Sequence, residues 1–194
     1  GAVTLAVAPD RPGRFAIHVR IPGWARNEPV PGDLYRFLDK AASTATVKVN
    51  GQAVAAAPVN GYVTIARTWQ PGDTIDIALP MDIRRIVSHD QVTANTNRVA
   101  IQRGPFVYAA EWPDNADGHV RNLVLPDTAA LKSEFRPALL NGVTVVTGTA
   151  TALAFDEQGR VTRKTQPFTA IPYYAWANRG RGEMMVWIPR TEAV

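Results

Sequence analysis

The chain has 194 residues, with 21 basic and 17 acidic side chains and a formal net charge of +4. The basic residues are scattered, so the sequence lacks the basic stripe with interleaved aromatics that is typical of nucleic-acid-binding surfaces. No apolar run approaches the ~20 residues that a membrane-spanning helix needs. Cysteine is absent, which excludes disulfides, a thiolate nucleophile and a cysteine-ligated metal site. The sequence therefore argues against nucleic acid and membrane as partners.

Short runs with alternating polarity fill the first part of the chain. Phe15 to Ile21 places four apolar side chains on one face and His18 on the opposite, solvent-side face. Asn50-Gly51 joins two further runs and is the strongest short signal for a β-hairpin. Between them, residues 24–45 break the pattern and indicate an insertion between strands, in which Asp33 could cap a short helix over 34–38.

The segment Gly61 to Met81 has the clearest strand pattern in the chain. Alternation before and after the Gln70-Pro71-Gly72-Asp73 turn predicts two strands, each with one buried face. Proline sets the φ angle that the turn requires, and glycine tolerates positive φ.

The second half continues in the same manner after a polar segment at residues 88–97, where we predict a domain boundary. It holds predicted strands over 99–111 and 143–155, with a bend at Gly148, and one or two helical turns over 128–136. We expect an all-β fold of two antiparallel β-sandwich modules in tandem, jelly-roll-like, over residues 1–92 and 93–194.

The residues that could carry catalysis form no recognisable arrangement. The three histidines are isolated from any nucleophile motif, and the close carboxylate pairs Asp114/Asp117 and Asp156/Glu157 lie in predicted turns. Glu111 differs from these pairs because it lies at the end of a predicted strand, beside the aromatic side chain of Trp112, but one carboxylate does not make a catalytic pair. No metal-ligand spacing is present, so no catalytic, cofactor-binding or metal-binding residue is predicted within this chain.

Aromatic side chains are the remaining candidates for contacts with a sugar or another domain. In a β-sandwich a tryptophan more often belongs to the core, whereas exposed aromatic patches mark interaction surfaces. The candidates lie at strand ends, in the insertion and near the C-terminal end: Trp24, Tyr35, Phe37, Trp112, Tyr173 and Trp176.

Several segments, taken in order, resemble glycoside hydrolase family 127, the β-L-arabinofuranosidase family. They are Phe15 to Ala25, Val47 to Gly51 with Gly61-Tyr62, Trp69 to Asp73 with Leu79-Pro80-Met81, Val99 to Tyr108 with Glu111 to Asn115, and Ile171 to Gly180 with Glu183-Met184 and Val186 to Pro189. The resemblance covers nearly all of the chain.

That resemblance implies that catalysis and the β-sandwich modules belong to different domains of a family member. Family members carry their active site in an (α/α)6 barrel, with a cysteine nucleophile on a zinc ion and glutamates as ligand and acid/base. Two β-sandwiches follow the barrel, and this chain resembles those two alone. The cysteine-ligated zinc site therefore has no counterpart here, and no functional residue of the family maps onto this chain.

Three functions follow as hypotheses. The first is a non-catalytic accessory region that packs on the catalytic barrel of its parent polypeptide, with the 24–38 segment reaching toward the barrel, and that contributes to a homodimer. The second is a carbohydrate-binding module for plant-type polysaccharide, and the third is an independent hydrolase. The cellular location stays open between the periplasm, the exterior and the cytoplasm.

Overall fold

The computed structural model describes residues 1–55 and 57–192, and regular structure there consists of strands joined by turns and short 3-10 helices. None of the helices in these residues is long and apolar enough to span a membrane. The strands are β1 (Ala2–Val7), β2 (Gly13–Arg20), β3 (Tyr35–Phe37), β4 (Thr46–Val49), β5 (Gln52–Ala53), β6 (Tyr62–Trp69), β7 (Asp73–Ala78), β8 (Ile83–Ser88), β9 (Arg98–Arg103), β10 (Phe106–Glu111), β11 (Leu123–Val124), β12 (Lys132–Arg136), β13 (Val143–Phe155), β14 (Val161–Pro172), β15 (Met184–Met185) and β16 (Ile188–Pro189).

These strands fall into two compact units. The first comprises residues 1–31 and 40–82, and the second comprises residues 32–39 and 83 onward. All pairings are antiparallel. The expected all-β sandwich fold is confirmed.

The first unit is a small sandwich of two sheets. One sheet has the order β1-β7-β4-β5 and the other pairs β2 with β6. A single core cluster takes apolar side chains from both sheets, with Trp69 and Ile75 fully buried in it. Period-2 alternation supplies these side chains, because every second residue of a strand faces the opposing sheet.

The predicted turns of this unit are present. Asn50 and Gly51 both have positive φ, 49° and 78°, as a two-residue hairpin between β4 and β5 requires. The 70–73 turn joins two strands that do not pair with each other, since β6 pairs with β2 and β7 pairs with β1 and β4. This turn therefore passes the chain from one sheet to the other. His18 lies on the exposed face as predicted, with its Nδ1 2.9 Å from the Thr64 hydroxyl.

The second unit is built on one large sheet. Its order is β11-β13-β14-β10-β9-β8-β3, with β12 beside β13, β15 beside β10 and β16 beside β9. Leu123 of β11 and Val99 of β9 belong to the same fully buried cluster although three strands separate them, so the sheet curves around its core. In β13, Val146 faces this cluster, and its neighbour Val145 points to the other face of the sheet, where it belongs to a second cluster.

Two predicted helical segments are strands in the structure. Residues 35–37 pair with β8 instead of forming a capped helix, because Tyr35 and Phe37 share one face with Ile86 while Arg36 points to the other. Residues 132–136 pair with β13 in register. In both cases the segment becomes a strand because it pairs with the open edge of a longer strand. Local sequence preference does not indicate such a pairing.

The two units meet in sequence at Asp82 and Ile83, before the boundary predicted after residue 92. Pairing of β8 with β9 and β3 joins residues 83–88 to the second unit. The polar 88–97 segment is thus a connection within the second unit. Residues 32–39 belong to that unit as well, although residues of the first unit flank them in sequence.

Candidate functional site

The candidate aromatics of the 24–38 segment divide between the two units. Trp24 lies in a 3-10 helix of the first unit and packs, partly buried, against its core. Tyr35 stacks on Trp187 with ring centroids 5.6 Å apart. Phe37 is buried, with the Arg84 guanidinium 4.0 Å from its ring centroid. The structure therefore uses Tyr35 and Phe37 inside the second unit and leaves neither ring free on a loop.

Trp112 is also held within the second unit. A Cβ atom on Gly182 would lie 2.1 Å from the indole ring, so only glycine allows the backbone to approach this closely. The indole Nε1 is buried and has no hydrogen-bond partner among the described residues. One face of the ring is covered by backbone, which reduces the area that Trp112 could offer to a ligand.

Tyr173 and Trp176 behave differently, because both are exposed. Together with Phe106 and Tyr174 they form what we call the aromatic surface, with exposed fractions between 38% for Trp176 and 65% for Tyr174. Tyr173 and Trp176 stack with centroids 5.7 Å apart, and Phe106 meets Tyr174 edge to face at 5.5 Å. Such paired rings at solvent are typical of an interaction surface.

A group of buried charges anchors the chain that carries this surface. Glu111, 1% exposed, lies at the end of β10 and accepts hydrogen bonds from the backbone N–H of Ala177 at 3.2 Å and from the Arg179 Nε at 3.1 Å. The Arg179 guanidinium also donates to Asp114 at 2.7 Å. We call Arg179 with its two carboxylates the arginine clamp.

The electrostatics of the arginine clamp favour a permanent ion pair. Hydrogen bonding to Asp114 and then to Glu111 raises the pKa of Arg179 above its ordinary value, and this outweighs the opposing effect of burial. Asn115 extends the network by donating to the carbonyls of Glu111 at 2.9 Å and Thr169 at 3.0 Å. The clamp thus fixes the 112–115 turn and the 176–179 segment to β10.

Glu183 fixes the next loop in a similar way. Its carboxylate accepts hydrogen bonds from the backbone N–H groups of Val120 at 2.9 Å and Arg121 at 3.1 Å. These two bonds, in that order, lower the pKa of Glu183 to about 2. His119 contributes a further contact at 3.3 Å. Glu183 therefore remains a carboxylate acceptor at neutral pH.

This arrangement is poorly suited to bond-breaking. General acid/base catalysis needs a carboxyl group that can exchange a proton with a substrate, whereas Glu111 and Asp114 are both occupied by one arginine. Within residues 1–55 and 57–192, no group of three or more histidine, aspartate or glutamate side chains could hold a metal ion. The contacts of Glu111 and Asp114 with Arg179 hold the 112–115 turn and the 176–179 segment together.

Sequence patterns gave only part of this site. The setting of Glu111 beside Trp112 and the aromatic candidates Tyr173 and Trp176 could be found from the sequence. The pairing of Glu111 with Arg179 links residues 68 positions apart, and no sequence signal indicates such a partner. Asp114, which reads as an ordinary turn residue, proved to be part of the same ion pair.

Comparisons with known proteins match both units. The model for the β-L-arabinofuranosidase GH127 middle domain matches residues 1–81. The model for the glycoside hydrolase family 127 C-terminal domain matches residues 83–189. The junction between the two matches coincides with the junction between the two structural units at Asp82.

Relatives of known function and structure are much longer than this chain. The non-reducing end β-L-arabinofuranosidase of Bifidobacterium longum is 33% identical over 94% of the chain, which spans 27% of that protein. A solved GH127 β-arabinofuranosidase is 40% identical with a TM-score of 0.93, over 97% of this chain and 30% of the other. A GH127 β-L-arabinofuranosidase from Geobacillus stearothermophilus T6 is 38% identical with a TM-score of 0.81, over 97% and 28% respectively.

Proposed function

Because this chain belongs to glycoside hydrolase family 127 and spans only 27–30% of the length of the relatives above, we propose that it is the non-catalytic β-sandwich region of a longer glycosidase. In this proposal the reaction, on an L-arabinofuranoside, takes place in a catalytic region outside these 194 residues. The two units support that region and position surfaces against it.

The observation that carries the proposal is the occupation of the buried carboxylates. Glu111 is almost fully buried and paired with Arg179, which also holds Asp114. The zinc ion that the family resemblance implies does not fit the residues present either, since the sequence has no cysteine and the described residues lack a cluster of other donors. We therefore propose that any zinc in the parent enzyme is held by its catalytic region.

The aromatic surface is the part of the second unit best suited to contact the catalytic region. When another surface covers exposed aromatic rings and removes them from water, the free energy of the assembled state decreases. The arginine clamp fixes the 176–179 segment of this surface before any partner binds, which reduces the entropy lost on docking. Trp24 in the first unit is a second candidate contact, with a smaller exposed area.

Variants of the natural polypeptide that contains this chain would test this role. Replacing Tyr174 and Trp176 by serine should lower the midpoint temperature for loss of glycosidase activity by several degrees, because the catalytic region loses a packed neighbour. The matched control is Phe155→Ser, which removes an even more exposed ring, at 76%, from the end of β13. An unchanged midpoint in the double variant would reject the aromatic surface as this contact, and Trp24→Ala tests the second candidate in the same assay.

A homodimer is an alternative use of the same surface. Sedimentation of the natural polypeptide distinguishes the two roles. If the Tyr174→Ser/Trp176→Ser variant halves the mass in solution and leaves the activity midpoint unchanged, the surface joins two copies instead of packing on the catalytic region.

Binding of polysaccharide is the second candidate function, and the stacked pair Tyr173 and Trp176 is the observation that favours it. Exposed aromatic faces are common platforms for sugar rings. Affinity gel electrophoresis of the 194-residue chain in plant arabinan should then show retardation that Trp176→Ala removes, while Phe155→Ala leaves it intact. Equal mobility with and without polysaccharide would reject this function.

A further inference from the structure

The second unit contains a polar cavity that the proposed function does not use. It has a volume of about 210 Å³ and is bounded by the ends of β3, β8, β9 and β16 and by the connection after β8. This volume is below the range of roughly 300–1,000 Å³ that is usual for sites of drug-sized ligands. A ligand would therefore be about the size of one sugar ring.

Backbone hydrogen bonds hold the wall of the polar cavity in place. The N–H of His89 donates to the Leu34 carbonyl at 2.8 Å, which ties the start of the wall to the chain before β3. The N–H of Arg190 donates to the Asn97 carbonyl at 2.9 Å, and the Asn97 side chain donates to the Thr191 hydroxyl at 2.7 Å. The cavity is thus formed before any ligand is bound.

The charges that line the polar cavity favour an anion. Three arginines, Arg36, Arg98 and Arg190, line it against one acidic side chain, Asp90. Asp127 pairs with Arg190, whereas Arg98 donates to a neutral acceptor, the Trp187 carbonyl, at 3.0 Å. In the described part of the chain, Arg98 has no carboxylate partner. Within residues 1–55 and 57–192, the Arg36 guanidinium has neither a hydrogen-bond acceptor nor a carboxylate partner, and β3 is held through its backbone pairing with β8. Guanidinium groups bind carboxylates and phosphates with well-defined two-point geometry.

Neutral polar groups complete the lining. Asn95 supplies an amide group beside the arginines, whereas the Asn97 Nδ2 already donates to Thr191. Amides can both donate to and accept from the hydroxyl groups of a small polyol. The lining therefore combines a site for one negative charge with sites for hydroxyl groups.

We propose that the polar cavity binds a small hydroxylated oxyanion, a sugar acid or a sugar phosphate, with Arg36 as its main charged contact. Arg98 supplies a second positive charge, and Asp90 limits affinity through repulsion. This binding is independent of the aromatic surface and of where catalysis takes place.

Calorimetric titration of the 194-residue chain with glucuronate, glucose 6-phosphate, inorganic phosphate and glucose tests the proposal. We expect saturable binding of at least one anionic sugar and none of glucose. The ratio of the glucuronate and sugar phosphate affinities then identifies which oxyanion the cavity prefers. Binding should weaken as salt is added, because the arginines are solvent-accessible.

Three variants of the chain make the test specific. Arg36→Gln should weaken binding of the preferred anionic sugar about tenfold, in line with loss of a charge-assisted hydrogen bond. Asp90→Asn should strengthen it several-fold, an effect in the opposite direction that misfolding cannot produce. Arg121→Gln is the matched control, since it removes one exposed arginine of the same unit outside the cavity.

Three results would overturn the proposal. They are the absence of saturation with every anion at millimolar concentration, equal affinity for glucose, and equal weakening by Arg36→Gln and Arg121→Gln. Circular dichroism of each variant verifies that the β structure is retained.

Discussion

The two units bury very different groups. Among the described residues of the first unit, Asp73 is the one polar side chain that is buried. In the described part of the second unit, the buried polar residues are Arg84, Gln102, Glu111, Asn115, Gln166 and Thr169. The first unit is stabilised by apolar contact between two sheets, whereas the second unit also depends on a polar network.

This difference indicates which segments of the chain are held in a fixed position by directional contacts. Apolar packing tolerates small shifts, but an ion pair with several hydrogen bonds fixes the angle and distance of the segments that it joins. The arginine clamp fixes to β10 the 176–179 segment, which begins with the exposed Trp176. The polar network thus sets the geometry of a surface, and its disruption should alter that surface more than the fold.

The largest expected effect is in the core of the first unit. Trp69 is fully buried, and its indole donates to the Phe15 carbonyl at 3.2 Å. Trp69→Ala should reduce the free energy of unfolding by about 3–5 kcal/mol, since it leaves a large cavity. Denaturant titration with far-UV circular dichroism measures this loss. The control Phe15→Ala, at a ring that is 42% exposed, should cost much less, and equal losses would contradict the apolar core described here.

A smaller loss of stability is expected at the arginine clamp. Glu111→Gln keeps the shape of the side chain but removes the charge that faces Arg179, and should cost about 2–3 kcal/mol. Hydrogen exchange should become faster at the Ala177 amide, which donates to Glu111, while amides of the first unit keep their protection. Glu157→Gln, at an exposed turn, serves as the control. Unchanged exchange at Ala177 would show that the clamp does not position the aromatic surface.

The smallest of these effects depends on pH. The pKa of Glu183 is lowered from 4.5 to about 2 in the folded chain, so its stabilising contribution is full above the unfolded value and is lost as the pH falls through the folded value. We expect the free energy of unfolding to decrease by about 1–2 kcal/mol through this group between pH 5 and pH 2, after allowance for its partial exposure. Stability measured against pH for the chain and for Glu183→Gln isolates the contribution. Parallel curves for the two proteins would contradict it.

Much of the fold could be predicted from the sequence, because strand alternation and turn residues act locally. The Asn50-Gly51 hairpin, the buried face of β2 and the all-β class follow from neighbouring residues alone. Strands 35–37 and 132–136 could not be found this way, since each forms on the open edge of a strand distant in sequence. The boundary between the two units near residue 82 could not be found either, because it depends on the pairing of β8 with β9 and β3.

The candidate site was less predictable than the fold. Residue type and position in the sequence indicate the exposed aromatics Tyr173 and Trp176, but they indicate Phe37 equally, and that ring is buried against the Arg84 guanidinium. Side-chain exposure depends on which strands pair, and the partner of Glu111 depends on how distant loops meet. The polar cavity was invisible for a related reason, because its lining is assembled from four strand ends and a segment without any sequence pattern.

If bond-breaking takes place outside these residues, as proposed above, turnover of an arabinofuranoside requires the rest of the polypeptide. The 194-residue chain and the natural polypeptide that contains it should be assayed side by side on an aryl β-L-arabinofuranoside, with and without added zinc. We expect turnover by the natural polypeptide and none above background by the chain alone. Turnover by the chain alone that disappears in Glu111→Gln would contradict it, because the arginine clamp would then be an active site.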